Sequence, residues 1–255
     1  MTIPSPLAVV PPPNTPVPDA VLRILDSHQF RSAHLQPVWL NGVGGLTFAI
    51  ASGGRGHPID FYAKWNPINS GESLADEAAR LQWIQGRHPA PTVFDLVTNE
   101  NEELLLTHAL PGESAIANRW KRDPETALRA LGSGLHQLHA ISLDDCPFDW
   151  GVESRLRAAD LAPETIDPPP PIDRLVLCQG DPCAPNTLVA EDGLFLAHVD
   201  LARLGAADRW ADLAVMTMSM EWNYRDYDES IFWEAYGVEP DPVRINYYRW
   251  LWNLT

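Results

Sequence analysis

The 255-residue chain is poor in cysteine, poor in basic residues and free of long apolar runs, and each shortage removes a class of protein. Its three cysteines (Cys146, Cys178 and Cys183) are too few for a disulfide framework. With no second Cys/His pair to complete a site, they do not read as zinc ligands either. Lys and Arg number 18 against 34 Asp and Glu, for a net charge of −16. No basic stripe offsets that field, so nucleic acid and anionic membrane are excluded as partners. A cationic small molecule would still be attracted, although acidity of this size also serves plain solubility. No segment approaches the ~20 apolar residues of a membrane span. No charged stretch followed by an apolar one marks a signal peptide, and no internal repeat is present. The expectation is a soluble, cytoplasmic chain with no membrane partner, long enough for one large or two modest domains.

Proline is abundant, and it is placed unevenly. Seven prolines fall in residues 1–18 (Pro4, Pro6, Pro11, Pro12, Pro13, Pro16 and Pro18). Proline lacks the amide a helix needs, so this segment is expected to be a flexible, extended tail. A helix is expected over Asp19–His28. Strand-type segments follow at Gln36–Leu40, Leu46–Ala51 and Ile59–Trp65, cut apart by glycine-bearing stretches at 41–45 and 52–56, as in a meander. Leu74–Gln85 carries Leu74, Ala78, Leu81 and Ile84 at helical spacing. Two more strands are expected at Val93–Val97 and Leu104–Thr107. Beyond Pro111-Gly112 the pattern turns helical. Asp123–Ala140 has a cap residue in Asp123 and a first-turn proline in Pro124. Short strands are expected at Val176, Thr187–Val189 and Phe195–Val199, and helices at Ala207–Met220, Glu229–Tyr236 and Pro242–Trp252. The fold class is α+β: after the tail (1–18), a small sheet-rich lobe (19–108) precedes a mainly helical one (109–255).

Chemistry is concentrated in Cys178-Gln179-Gly180-Asp181-Pro182-Cys183-Ala184-Pro185-Asn186 and in Ala197-His198-Val199-Asp200. Asp-x₄-Asn, followed by an Asp after an apolar run, is the layout of a kinase catalytic loop and its metal-binding strand end. Phosphoryl transfer needs a carboxylate at the attacking hydroxyl and oxygen ligands for Mg²⁺ against the nucleotide phosphates. Asp181 suits the first task, Asn186 and Asp200 the second. Upstream, Lys64 ends an apolar strand, and Glu77 lies on the helix after it. A lone strand lysine is an ordinary surface residue; in order with Glu77 and the downstream motif it is the cation for the α/β-phosphates, held by a helix carboxylate. Gly44 and Gly45 fall in the preceding hairpin, where bare backbone could approach phosphate oxygens, though a plain turn explains them as well. Asp212 is expected to bond the catalytic-loop backbone, and His136 and His139 to be core or otherwise satisfied histidines.

These residues together resemble the aminoglycoside 3′-phosphotransferase family of the protein-kinase-like superfamily. The likeness runs from Gly44-Gly45-Leu46-Thr47-Phe48 and Lys64-Trp65-Asn66-Pro67 through Glu77-Ala78-Ala79-Arg80-Leu81 and Asp145-Cys146-Pro147-Phe148-Asp149. It continues in Asp181-x₄-Asn186, Val199-Asp200-Leu201-Ala202-Arg203 and Ala207-Asp208-Arg209-Trp210-Ala211-Asp212, and spans roughly residues 36–255. It implies a protein-kinase-like two-lobed fold with ATP or GTP as phosphate donor and Mg²⁺ as cofactor. It also implies a nucleotide-base hinge at His108 and Ala109, and transfer of the γ-phosphate to a hydroxyl of a cationic aminosugar, as in antibiotic resistance. Asp160, Glu164, Arg203 and Thr255 are the candidate acceptor contacts, and a monomer or weak dimer is expected.

Three departures from the family pattern bear on function. Gln179 replaces a supporting histidine, and a glutamine amide can donate the same kind of hydrogen bond. The segment from Phe148 to Gln179 is short and proline-rich, leaving Asp160, Glu164 and Asp167 as its late carboxylates. The chain closes on Leu251-Trp252-Asn253-Leu254-Thr255, where family members carry acidic residues. Losing two charged hydrogen bonds costs roughly 3–6 kcal/mol, on the order of 10²–10⁴ in affinity. Three readings follow: an aminoglycoside-type kinase, a kinase of another sugar or amino alcohol, and a nucleotide-binding pseudoenzyme resting on Gln179 alone.

Overall fold

Glycine breaks and a buried apolar alternation cut the first hundred residues into antiparallel strands. The structure, a computed structural model, describes residues 9–30, 32–68 and 70–255. It separates into two units, one comprising the chain up to Trp83 with Pro91–Leu110, the other Ile84–Ala90 with Pro111–Thr255.

The first unit contains α1 (Asp19–Ser27), β1 (His34–Leu40), β2 (Leu46–Ala51), β3 (Phe61–Pro67), α2 (Leu74–Ile84, whose last residue groups with the second unit), β4 (Val93–Thr98) and β5 (Glu102–His108). The strands form one antiparallel sheet in the order β1-β2-β3-β5-β4. Phe48, Ile50, Phe61, Ala63, Leu104 and Leu106 line one face and pack with Ala20, Val21, Ile24 and Leu25 of α1. Because strand side chains alternate, the burial of Ala63 sends its neighbour Lys64 to the opposite face. Pro37 sits at a register shift in β1, an edge strand, where a missing amide is tolerated. Leu74, Ala78, Leu81 and Ile84 of α2 are all buried, as their spacing predicts. Residues 1–8 of the proline-rich segment lie outside the described residues. Val9 is not loose: its amide and carbonyl pair with Leu40 at 3.1 and 2.9 Å.

The second unit contains β6 (Glu113–Ser114), α3 (Asn118–Lys121), α4 (Pro124–His139), α5 (Val152–Ala158), β7 (Leu175–Cys178), β8 (Thr187–Val189), β9 (Phe195–His198), β10 (Gly205–Asp208), α6 (Trp210–Asn223), α7 (Ser230–Tyr236) and α8 (Pro242–Leu254). Asp123 caps α4 by accepting from the Thr126 amide at 3.3 Å. Two small sheets, β6-β8-β9 and β10-β7, carry the chemistry-bearing segments. Every residue of α6 from Trp210 to Met220 is buried, so this helix is the spine of the unit. Its start differs from expectation: Ala207 and Asp208 finish β10 rather than opening the helix. The Asp208 carboxylate accepts from the Asp173 amide at 3.0 Å and from the Trp210 amide at 3.2 Å, ending the strand and starting α6. The helix α5, a short element with a buried arginine at its centre (Arg155, 2% exposed), has no counterpart in the sequence expectations. Among the described residues, no helix is long and apolar enough to cross a membrane.

Candidate active site

In the first unit, the register aligns Thr47, Lys64 and Leu105 across β2, β3 and β5 and so sets Lys64 in the middle of the sheet. Its Nζ donates to both oxygens of Glu77, at 2.7 and 2.9 Å. Glu77 is 3% exposed and the lysine side chain 26%, so a buried carboxylate steers a partly open cation. A bidentate clasp of this kind holds the ammonium in place for an anionic ligand. The β1–β2 turn is organised by Asn41, whose Oδ1 accepts from the amides of Val43 (3.2 Å) and Gly45 (2.5 Å). A Cβ on Gly45 would come within 1.8 Å of Asn66 Oδ1, while Gly44 has φ +87° with open space around it. Gly45 is therefore fixed by packing and Gly44 by backbone conformation. At the expected hinge, the His108 amide donates to Thr92 O and the Ala109 amide to Asp60 O, both at 2.9 Å. The N–H groups of both residues are thus already engaged within their unit.

In the second unit, β7 delivers Gln179 into full burial, and its side chain makes three bonds. Nε2 donates to Val199 O (3.0 Å) and to Asp200 O (3.1 Å), while Oε1 accepts from the Asp181 amide at 2.6 Å. A neutral histidine offers one ring donor and one ring acceptor. Glutamine therefore does the supporting work here with one bond to spare. The Asp212 carboxylate, reaching from α6 and wholly buried, accepts from the Gln179 amide (2.6 Å) and the Gly180 amide (3.1 Å). It also meets His139 Nε2 at 3.0 Å, and His139 Nδ1 lies 2.8 Å from Tyr236 Oη. His136 bonds Tyr236 O through Nδ1 at 2.8 Å. Asp212 thus bonds the catalytic-loop backbone as expected, and both histidines are hydrogen-bonded, His139 in the core and His136 at the surface.

Gly180 turns the loop with φ +87°, and a Cβ there would lie 2.2 Å from Arg203 O. No other residue fits both the angle and the space. Asp181 follows, and its Oδ1 is buried without a hydrogen-bond partner. Burial pushes its carboxyl above the usual carboxylate range; the Arg203 guanidinium draws it back, and Asp200 adds to the rise. Asn186 closes a short turn by donating Nδ2 to Asp181 O at 2.9 Å, which directs its Oδ1 away from that carbonyl. The Val199 amide donates to Asn186 O at 2.9 Å, continuing the β8–β9 register Thr187↔His198. This brings Asp200, one residue beyond Val199, beside Asn186. Asp200 adopts φ +60°, a left-handed conformation that aspartate tolerates better than most residues and that recurs at functional sites. A carboxylate and an amide oxygen are hard donors, suited to Mg²⁺ rather than to zinc.

Beneath β9, His88 Nε2 and His198 Nδ1 lie 2.9 Å apart, and the His198 amide donates to Pro89 O at 3.2 Å. Burial holds both imidazoles neutral, His88 at about 4 and His198 well below its ordinary value.

The candidate acceptor residues separate into two groups. Arg203 stacks over Trp150 (5.6 Å) and Trp252 (5.3 Å) and acts electrostatically on Asp181. The Thr255 hydroxyl accepts from Arg155 at 2.8 and 3.2 Å. Asp160, at φ +55°, and Glu164, in a 3₁₀ turn at Pro163–Thr165, are exposed and absent from the interactions of Asp181. The sequence reading gave no role to three neighbours of the site. Trp150 and Trp252, taken as packing residues, flank Arg203, and the Cys183 thiol, its ionisation pushed up by burial, bonds the Asp181 carboxylate.

The profile of the phosphotransferase enzyme family matches residues 34–168. The chain is similar to the streptomycin 3''-kinase of Streptomyces griseus, 31% identical over 85% of this chain and 94% of that enzyme. It is also 31% identical to the aminoglycoside 3'-phosphotransferase of Campylobacter jejuni, over 69% of this chain and 79% of that one. Among solved structures, the aminoglycoside phosphotransferase APH(3'')-Id of Streptomyces rimosus aligns with a TM-score of 0.73 at 26% identity, covering 93% of this chain and 98% of its own.

Proposed function

The chain belongs to the phosphotransferase enzyme family that includes the aminoglycoside phosphotransferases, and on that footing we propose that it transfers the γ-phosphate of ATP or GTP to a hydroxyl of an aminoglycoside-like aminosugar. The observation that carries the proposal is the meeting of Asp181, Asn186 and Asp200 under Gln179, with a buried carboxylate oxygen of Asp181 left without a partner. That oxygen accepts the hydrogen bond of the acceptor hydroxyl and aligns it for attack. Lys64, steadied by Glu77, binds the nucleotide phosphates, and the Gly44-Gly45 turn lets backbone come near them. Asn186 Oδ1 and the Asp200 carboxylate hold Mg²⁺. When bound, the ion neutralises charge on the phosphates as the transfer proceeds. His108 and Ala109 line the base through their carbonyls. The three free thiols suit a reducing cytoplasm, where the enzyme works as a monomer or weak dimer.

One observation favours a less cationic acceptor. The last turn carries Trp252 against Arg203, and Arg155 and Arg203 both stack on Trp150, at 5.1 and 5.6 Å. Cations in those places disfavour a polycationic drug, so another sugar or an amino alcohol is the second reading. The three bonds of Gln179 speak against a pseudoenzyme.

The test is product formation with Mg²⁺-ATP and Mg²⁺-GTP across streptomycin, kanamycin and a panel of neutral sugars and amino alcohols. Phosphorylation of an aminoglycoside, lost in Asp181→Ala while nucleotide binding persists, is the expected result. Turnover confined to the neutral panel would select the second reading. Undiminished product from Asp181→Ala would refute the assignment of that residue.

A further inference from the structure

A recess in the helical unit gathers basic side chains that the proposed transfer leaves unused. It measures about 90 Å³ and is lined by His136, His139, Arg174, Arg209, Tyr236 and Gly237. By the space a single water requires, it has room for a small polyatomic ion with some water and is too small for a sugar. Two arginines and two histidines in one recess are unusual in a chain of net charge −16. Arg209 is partly neutralised by Asp173, which meets its guanidinium at 2.6 Å. Arg174 is exposed and has no ion-pair partner among the described residues. His136 donates Nδ1–H to Tyr236 O, since a carbonyl can only accept, so its ring is fixed. The planar Arg174 guanidinium presents paired donors that match the oxygens of a tetrahedral anion, and Arg209, whose Nε and Nη2 meet Asp173, adds its remaining N–H groups.

The recess also connects to the loop that carries Asp181. Tyr236 Oη interacts with Arg209 and lies 2.8 Å from His139 Nδ1, whose Nε2 meets Asp212 at 3.0 Å. Asp212 in turn accepts from the Gln179 and Gly180 amides. Arg209 donates to the tyrosine hydroxyl, the hydroxyl is hydrogen-bonded to His139, and the other ring nitrogen of His139 meets the Asp212 carboxylate. The bonds converge on the Asp212 carboxylate, from the recess through His139 and from the catalytic loop through the Gln179 and Gly180 amides.

We propose that this recess binds a phosphate-type oxyanion, held by Arg174 and Arg209, at a place that shares no residue with Lys64, Asn186 or Asp200. An anion there draws the Arg209 guanidinium toward itself and alters the hydrogen bond received by Tyr236, which His139 then reports.

Inorganic phosphate is titrated into the nucleotide-free full-length protein, against sodium chloride at matched ionic strength, for wild type, Lys64→Met and Arg174→Gln. At about ten times Kd, phosphate should raise Tm by roughly 3–6 °C in wild type and in Lys64→Met. Imidazole ¹⁵N signals of His139 should move along the same isotherm. Arg174→Gln, a change at an exposed side chain, should weaken phosphate binding tenfold or more. Stabilisation no greater than with chloride would overturn the proposal. So would a wild-type isotherm in Arg174→Gln, or loss of the effect in Lys64→Met, which would assign the phosphate to the nucleotide site.

Discussion

Replacing Gln179 by leucine, nearly equal in size but without polar atoms, should damage both stability and turnover. It removes the two Nε2 donations to Val199 O and Asp200 O and the Oε1 acceptance from the Asp181 amide. A buried polar group left unpaired costs about 1–3 kcal/mol. Val199, Asp181 and Asp200 are all half-buried, so each of the three groups bears a fraction of that cost, giving about 3 kcal/mol in total. For a unit of this size that lowers Tm by roughly 6–12 °C. Histidine at the same position keeps one donor and one acceptor, so Gln179→His should lose only about 1 kcal/mol and retain most turnover. Gln179→Glu separates the two roles: it can still accept from Asp181 N, but it faces two carbonyls with no donor and brings a fourth carboxylate to Asp181, Asp200 and Asp212. It should therefore be worse than leucine in turnover. Thermal unfolding and steady-state kinetics on the three variants check the order. A leucine variant within about 2 °C of wild type and of undiminished kcat would refute the claim that Gln179 supports the loop.

Asp181→Asn should abolish transfer yet raise the Tm of the nucleotide-free protein at pH 7–8. The sign follows from its raised carboxyl: the fold binds that proton more readily than the unfolded chain, so the favourable contribution is complete below the ordinary value and is lost as pH rises through the folded one. A lower Tm at neutral pH would contradict this. Arg203→Gln removes the cation that draws Asp181 down, so the acid limb of kcat/KM, at saturating Mg²⁺, should move to higher pH; an unmoved limb would show that Arg203 does not act there. Lys64→Met should raise the KM for ATP at least tenfold and destabilise the protein by about 1–2 kcal/mol, because it removes the cation clasped by the buried Glu77 carboxylate; an unchanged KM would dismiss the phosphate role. His88 titrates at about 4 in the fold, below its ordinary value, so stability should fall as pH drops from about 6.5 towards 4, and His88→Gln should flatten that slope.

Regular patterns made much of this fold legible. Leu46–Ala51 and Thr187–Val189 are bounded by glycine or by the motif itself, and the strands fall where alternation puts them. Asp123 with Pro124 marks the start of α4 because a cap and a missing amide act locally. The misplaced residues answer to distant partners. Ala207 and Asp208 have helical neighbours, but Asp208 is claimed by the Asp173 amide, a bond no local reading sees. Within the site, Asp181, Asn186, Asp200, Lys64 and Glu77 were readable because their spacing follows the chain. Trp150 beside Arg203 was not, since it depends on the burial of Arg155 in an unforeseen helix.

The two amides that Asp212 accepts have a consequence for motion. They hang from a carboxylate with no exposed surface, on a helix enclosed on every side through eleven consecutive positions, Trp210 to Met220. A loop tied in this way has no opening of its own: its backbone can exchange protons with solvent only when the spine of the unit comes apart. Whatever moves during a catalytic cycle, Gln179 and Gly180 are the still point, and adaptation to a new acceptor has to come from the segments around them.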